Sequence, residues 1–251
     1  MSVRTTPARP PTSTTPADQY DASPPTSATP ARRSGTVAER LPAGLSVDTF
    51  EGDAYLGVVP FVMSAIGPRG LPVGLAFGEL NLRICVTVDG EPGVYFFNLD
   101  ADDRVGVALA RSPFRLPYYR ADVSVETSGD GRTRAVEFRS RRRSSRAPPA
   151  RFDAIYGADG SFSTPDHGSL AAFLTERYRF YTTDDGGRVY YGDIDHEPWR
   201  LAPARTEFRE NTLFAASGFE RPGGDPLLHF AAPIDVTAGR VHRSSTPEAV
   251  S

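Results

Sequence analysis

The residues best placed to do chemistry lie in one short run, Glu79-Leu80-Asn81-Leu82-Arg83-Ile84-Cys85. On an extended strand side chains alternate, so Glu79, Asn81, Arg83 and Cys85 share one face while Leu80, Leu82 and Ile84 share the other. A carboxylate, an amide and a guanidinium on one surface can move a proton, hydrogen-bond a ligand and pair with an anion. If that surface faces the inside of a barrel, its charges must be paired or ligated, and they would line a polar pocket. If it faces solvent, the run is an ordinary half-exposed strand. Cys85 has no histidine near it in sequence and is otherwise a small buried filler rather than a nucleophile.

Two further groups can contribute to such a pocket. LPYYRA places Tyr118, Tyr119 and Arg120 at the entry to a strand, where hydroxyls and a guanidinium can orient a carboxylate; packing with surface hydroxyls is the plainer alternative. GDIDHEPW carries His196 and Trp199, the only tryptophan, just after a strand and able to line a pocket mouth. The other histidines are His167, His229 and His242. No HxH or HExxH spacing occurs, so no metal site is expected. Arg139 to Arg146, reading RSRRRSSR, is the one basic cluster and is expected to be a solvated loop, since the aromatic residues of a nucleic-acid surface are missing.

Composition excludes several chemistries. All 28 Lys+Arg residues are arginine, so the chain has no lysine for a Schiff base, for pyridoxal phosphate or for a P-loop. Its formal net charge is −3, which argues against a polybasic binder of nucleic acid or membrane. A single cysteine permits no intramolecular disulfide or cysteine zinc site. With no membrane-length apolar stretch and no secretory leader, the expectation is a soluble cytoplasmic protein needing no cofactor.

Residues 1–39 are rich in Pro, Ser and Thr and are expected to be a disordered tail; residues 40–239 are expected to form one β-rich domain, followed by a loose tail over 240–251. AYLGVVPFVM reads as a buried strand with a bulge or edge at Pro60. ELNLRICVTVDG and GVYFFNLD form a hairpin across Asp89-Gly90. Two more hairpins flank SGDGR and DDGG. Helices are expected from Asp100, as a cap, to Ser112, and again after Ser169 in SLAAFLTERY. The fold class that follows is α+β, mostly antiparallel β, with two short helices.

The segments LPAGLSVDTFEGDAYLGVVPFVM, RGLP, FGELNLRICV, GVYFFNLD, FRLPYY, FLTERYRFYT, GDIDHEPW and ENTL, in that order from Leu41 to Val236, resemble the YqjF-like family of uncharacterised proteins, placed in the acetoacetate decarboxylase-like superfamily. The resemblance implies a cone-shaped or barrel-like sheet with an interior cavity, and strengthens the pocket reading of Glu79, Asn81 and Arg83. Two departures stand out. The decarboxylase works through a Schiff-base lysine, which this chain lacks, so that mechanism cannot operate here. Members also begin with an apolar strand and helix before the LPxGL motif, where this chain has its Pro/Ser/Thr tail. Either an element is missing or the start of the reading frame is not native, and an exposed sheet edge is expected.

Two functions follow. The first is an interior polar cavity binding a small organic anion, with Asn81, Cys85, Tyr118, Tyr119, Arg120, His196 and Trp199 as ligand contacts. The second is a lysine-independent lyase- or hydrolase-like enzyme with Glu79 as acid/base and Arg83 as anion stabiliser. A small molecule is the expected partner; self-association is left open. A Glu79 and Arg83 closed on each other would argue for structure alone.

Overall fold

Chain closure organises this protein: strand follows strand until the last wall strand pairs back onto an earlier one. The computed structural model describes residues 25–31, 37–66, 75–102, 115–129 and 134–244. In chain order the strands are β1 (Pro25–Ala31), β2 (Ser46–Val47), β3 (Ala54–Ile66), β4 (Leu75–Val88), β5 (Glu91–Asp102), β6 (Tyr118–Ser128), β7 (Ala135–Arg142), β8 (Arg151–Ala158), β9 (Arg179–Thr183), β10 (Val189–His196), β11 (Leu201–Asn211), β12 (Leu227–Ala231) and β13 (Val236–Arg243). Two short helices, α1 (Leu170–Thr175) and α2 (Leu213–Ala216), lie among them.

Following hydrogen-bonded neighbours from β5 through β6, β7, β8, β11, β12, β1 and β3 to β4, and from β4 back to β5, closes a nine-stranded barrel. The β5–β6 pair is parallel and the other pairs in this ring are antiparallel. β5 reaches two neighbours on one side: Leu99–Asp102 pair with β6, while Val94 and Tyr95 pair with β9, from which β10 and β13 continue outward. The α+β, mostly antiparallel class is the one the chain adopts, with two short helices among the described residues. No helix among the described residues is long and apolar enough to cross a membrane.

The β4–β5 hairpin turns at Asp89 (φ 52°) and Gly90 (φ 83°). Positive φ at both central residues matches the right-handed twist of the strands it joins, which is why an Asp-Gly pair stands there. The hairpins β6–β7 and β9–β10 also form where the turn residues place them. Pro60 lies in β3 beyond Val58, where pairing with β1 ends, so its missing donor interrupts no bond to β1.

Within the barrel one apolar cluster joins Leu56 and Val58 of β3, Leu80, Leu82 and Ile84 of β4, Phe138 of β7, Phe152 and Tyr156 of β8, and Phe230 of β12. Strands on opposite walls meet in it, so this is the inward face. A bulge at Phe97, opposite the Leu82–Arg83 step, shifts the phase of β5 and turns Asn98 and Asp100 inward as partners of Leu82 and Leu80. There Asp100 accepts two hydrogen bonds from Arg142, from Nε at 2.6 Å and Nη2 at 2.9 Å. Both side chains are 1% exposed, and Tyr119 lies under the guanidinium.

Four expectations need correction. Asp100 does not cap a helix; it lies inside β5 and spends its carboxylate on Arg142, while the remainder of that expected helix, 103–112, is outside the described residues. The expected disordered tail includes β1, which pairs with both β3 and β12 and buries Ala28. Backbone hydrogen bonds, which need no apolar side chains, hold PTSATPA in the slot that closes the barrel, so no sheet edge is exposed there. The C-terminal segment expected to be loose includes β13, hydrogen-bonded to β10; residues 1–24 and 245–251 are outside the described residues. The basic run is not a loop throughout, since Arg139–Arg142 complete β7 and Arg142 is buried.

Removing one partner of a buried bidentate pair leaves an uncompensated charge in the core. Arg142→Met is therefore expected to lower unfolding stability in urea by about 3–5 kcal/mol, and adding Asp100→Leu to recover most of that loss. Equal loss in the single and double variants would show that packing, not charge, sets the cost.

Candidate functional site

Because β4 alternates, sending Leu80, Leu82 and Ile84 inward sends Glu79, Asn81, Arg83 and Cys85 outward. This outward face is not exposed: Glu79, Asn81 and Cys85 are 2–4% accessible and Arg83 is half-buried. The sequence alternatives of barrel interior or open solvent are both replaced by a third arrangement, a polar face on the outer wall beneath its own cover.

Part of that cover is α1. Ser169 caps it, accepting a hydrogen bond from Ala172 N at 3.2 Å, as its sequence position suggests. Leu170, Phe173 and Leu174 pack on Ala28, Tyr55, Cys85 and Leu227. The last turn leaves backbone carbonyls without helical partners, and side chains take them up. Arg83 Nη2 donates to Leu174 O at 3.2 Å, Cys85 Sγ to Phe173 O at 3.8 Å, and Arg177 Nε to Phe173 O at 2.7 Å. Arg177 also pairs with Asp48 at 2.7 Å. Gly57 faces Arg83 across the β3–β4 pair, and a Cβ there would meet the arginine Cγ at 3.5 Å, so the guanidinium stem runs between strand and helix.

At the other end of the face, Tyr118 OH donates to Glu79 Oε2 at 3.0 Å, and Phe77, Ala101 and Tyr118 pack together. Burial pushes the Glu79 carboxyl up to about 7; hydrogen bonds from Tyr118 and Asn81 oppose this, and Asp100 adds to it. Burial beside Glu79 raises the Tyr118 hydroxyl well above its ordinary value, so it remains a donor. Burial lowers the Arg83 guanidinium and raises the Cys85 thiol. The Asn81 Oδ1 atom is buried and has no hydrogen-bond partner.

The structure thus brings Glu79, Asn81, Arg83 and Tyr118 onto one covered face, with Cys85 in the apolar patch under α1. Tyr119 is on the opposite side of its strand, over Arg142, and Arg120 is exposed. His196 and Trp199 form a surface cluster with Tyr178, at ring distances of 5.3 Å between His196 and Trp199 and 4.5 Å between Tyr178 and His196. Glu176 ties that cluster to the end of α1, accepting from Trp199 N at 2.9 Å and Tyr178 OH at 2.5 Å. Arg177 and Asp48 carry no motif and were not legible as site neighbours; the only hint was an arginine directly after the α1 pattern. No group of three or more His, Cys, Asp or Glu among the described residues is arranged to hold a metal. A cavity of about 30 Å³ lies near Thr29, Phe208 and Phe214, and a cleft of about 310 Å³ runs outside β6–β8 past Arg139, Arg141 and Arg151.

This closed mixed barrel has the acetoacetate decarboxylase-like fold. Acetoacetate decarboxylase from Legionella pneumophila subsp. pneumophila str. Philadelphia 1 superposes with a TM-score of 0.53 at 11% identity, covering 90% of this chain and 86% of that one. The enduracididine biosynthesis enzyme MppR complexed with pyruvate gives 0.59 at 13% identity, covering 88% and 87%. More particularly, the chain belongs to the DUF2071 family, an uncharacterized conserved protein family, which matches residues 32–235. The uncharacterized protein YqjF of Bacillus subtilis (strain 168) is 43% identical over 199 residues, covering 78% of this chain and 79% of that protein.

A carboxyl group whose folded-state pKa is raised destabilises the fold once it must ionise. The penalty is absent below the unfolded value of about 4.5 and fully present above about 7, amounting to about 3 kcal/mol. Wild-type stability should therefore fall relative to Glu79→Gln as pH rises from 4.5 to 7, measured as the difference in Tm across that range. A constant difference would mean that Glu79 does not titrate there.

Proposed function

We propose that this protein binds a small organic anion on the outer face of β4, with Arg83 as its charge partner. The observation that carries this reading is the contrast among arginines. Arg142 has Asp100 and Arg177 has Asp48, whereas Arg83, among the described residues, has only the Leu174 carbonyl and no carboxylate. A guanidinium held away from water wants an anion, and a carboxylate matches its fork. Glu79 does not supply it: the two side chains stand four residues apart on a strand, about 13 Å between Cα atoms, and no pair between them occurs among the described residues. Asn81 stands between them with hydrogen-bonding capacity to spare. The pyruvate held by MppR, a protein of the same fold, supports a small oxo acid as one member of the ligand class.

A second reading, acid–base catalysis, is favoured by Glu79, whose pKa near 7 lets it take and return a proton at neutral pH. In that role its carboxylate would remove a proton from the carbon beside a carbonyl, leaving an enolate that the neighbouring Asn81 amide would hydrogen-bond, and would then return the proton, while Arg83 further along the strand would hold the substrate's anionic end. No lysine is required. Exchange of pyruvate methyl protons for deuterium, followed by NMR in deuterated water, should be accelerated by the wild type and not by Glu79→Gln. Equal exchange with both proteins removes the catalytic reading and leaves binding.

Binding itself is tested by thermal shift of the full chain against small keto, hydroxy and fatty acids. A ligand at about 100 times its Kd should add roughly 2.7 kcal/mol, a shift of a few degrees. The shift should vanish in Arg83→Met and survive weakened in Arg83→Lys, which keeps the charge but loses the fork. No shift with any acid, or an equal shift in wild type and Arg83→Met, would overturn the proposal.

A further inference from the structure

The same face carries a second unmet need besides the charge of Arg83. Asn81 is 3% exposed, and its Oδ1 lacks a partner. A buried carbonyl left without a donor is costly, so a donor arriving at this one would be held there. On this face of β4 its polar neighbours along the strand are Glu79 on one side and Arg83 on the other, each two residues away.

Asn81 and Arg83 are two residues apart on one face of β4, so their Cα atoms are about 6.6–6.8 Å apart. A guanidinium with no carboxylate among the described residues and an amide oxygen with no hydrogen-bond partner, separated by that step, offer two points to a ligand. One point takes an anion; the other takes an O–H or N–H. A plain fatty acid satisfies only the first point, and so does an oxo acid, whose carbonyl is itself an acceptor and would face Asn81 Oδ1 without a hydrogen between them.

We infer that the site selects carboxylates bearing a hydroxyl or amino group within a few carbons of the carboxylate, the carboxylate pairing with Arg83 and the donor reaching Asn81 Oδ1. This rests on the anion-binding reading above and narrows it. Apolar cover from Phe77, Ala101 and Tyr118 on one side and α1 on the other keeps much of this face from water, which strengthens both contacts.

The test uses pairs of acids that share a carbon skeleton: propanoate against lactate, and butanoate against 3-hydroxybutanoate, with affinities from calorimetry on the full wild-type chain. The hydroxy acid should bind at least tenfold more tightly in one pair or both, and the ratio should collapse toward one in Asn81→Leu, which keeps the branched shape and loses the acceptor. The wild-type arm stands without the variant: equal affinities within both pairs would overturn the inference while leaving anion binding at Arg83 intact. A preference that persists in Asn81→Leu would overturn it too, by moving the recognition elsewhere. If none of the four acids binds, the inference is overturned, and a shift with a keto acid in the thermal panel would show that anion binding at Arg83 survives without it.

Discussion

β4 buries both of its faces, and each face must therefore find cover of its own kind. Inward, Leu80, Leu82 and Ile84 meet the apolar side chains of the far wall, which a closed barrel supplies without leaving an edge. Outward, a carboxyl, an amide and a guanidinium are covered too, and these cannot be sealed with hydrocarbon alone. α1 answers part of that demand because a helix end is rich in unpaired carbonyls, and Arg83, Cys85 and Arg177 all donate to them. Tyr118 answers another part at Glu79. The binding proposal comes from what these partners leave unanswered.

Charge compensation separates structural arginines from the candidate. The Arg142–Asp100 pair is bidentate, enclosed in the barrel and backed by Tyr119, a closed unit with nothing left to offer. Arg177 is spent on Asp48 and on holding α1 in place. Arg83 differs in donating to the Leu174 carbonyl and pairing with no described carboxylate. Helix and ligand would meet at this one side chain, so occupancy of the site and the seating of α1 are coupled through it.

Period-two alternation and turn chemistry were enough to read much of this from the sequence. The Asp89-Gly90 hairpin, the Ser169 cap and the shared face of Glu79, Asn81 and Arg83 all follow from local rules that the tertiary structure left standing. Three features did not, each for a non-local reason. β1 has few apolar side chains to announce it, because its place is secured by backbone hydrogen bonds to strands about 30 and 200 residues away. Asp100 has the residue type and setting of a helix cap, but a bulge one turn of the pleat earlier aims it at an arginine 42 residues on. That the polar face of β4 lies outside the barrel, under a helix, depends on which wall the leucines choose, and alternation alone is symmetric between the two.

The most direct measurement is a crystal structure of the protein soaked with lactate. The account predicts lactate between β4 and α1, its carboxylate on the Arg83 guanidinium and its hydroxyl within hydrogen-bond distance of Asn81 Oδ1. Lactate inside the barrel or on the surface cluster of His196 and Trp199, with the Arg83 face empty at saturating concentration, would contradict it.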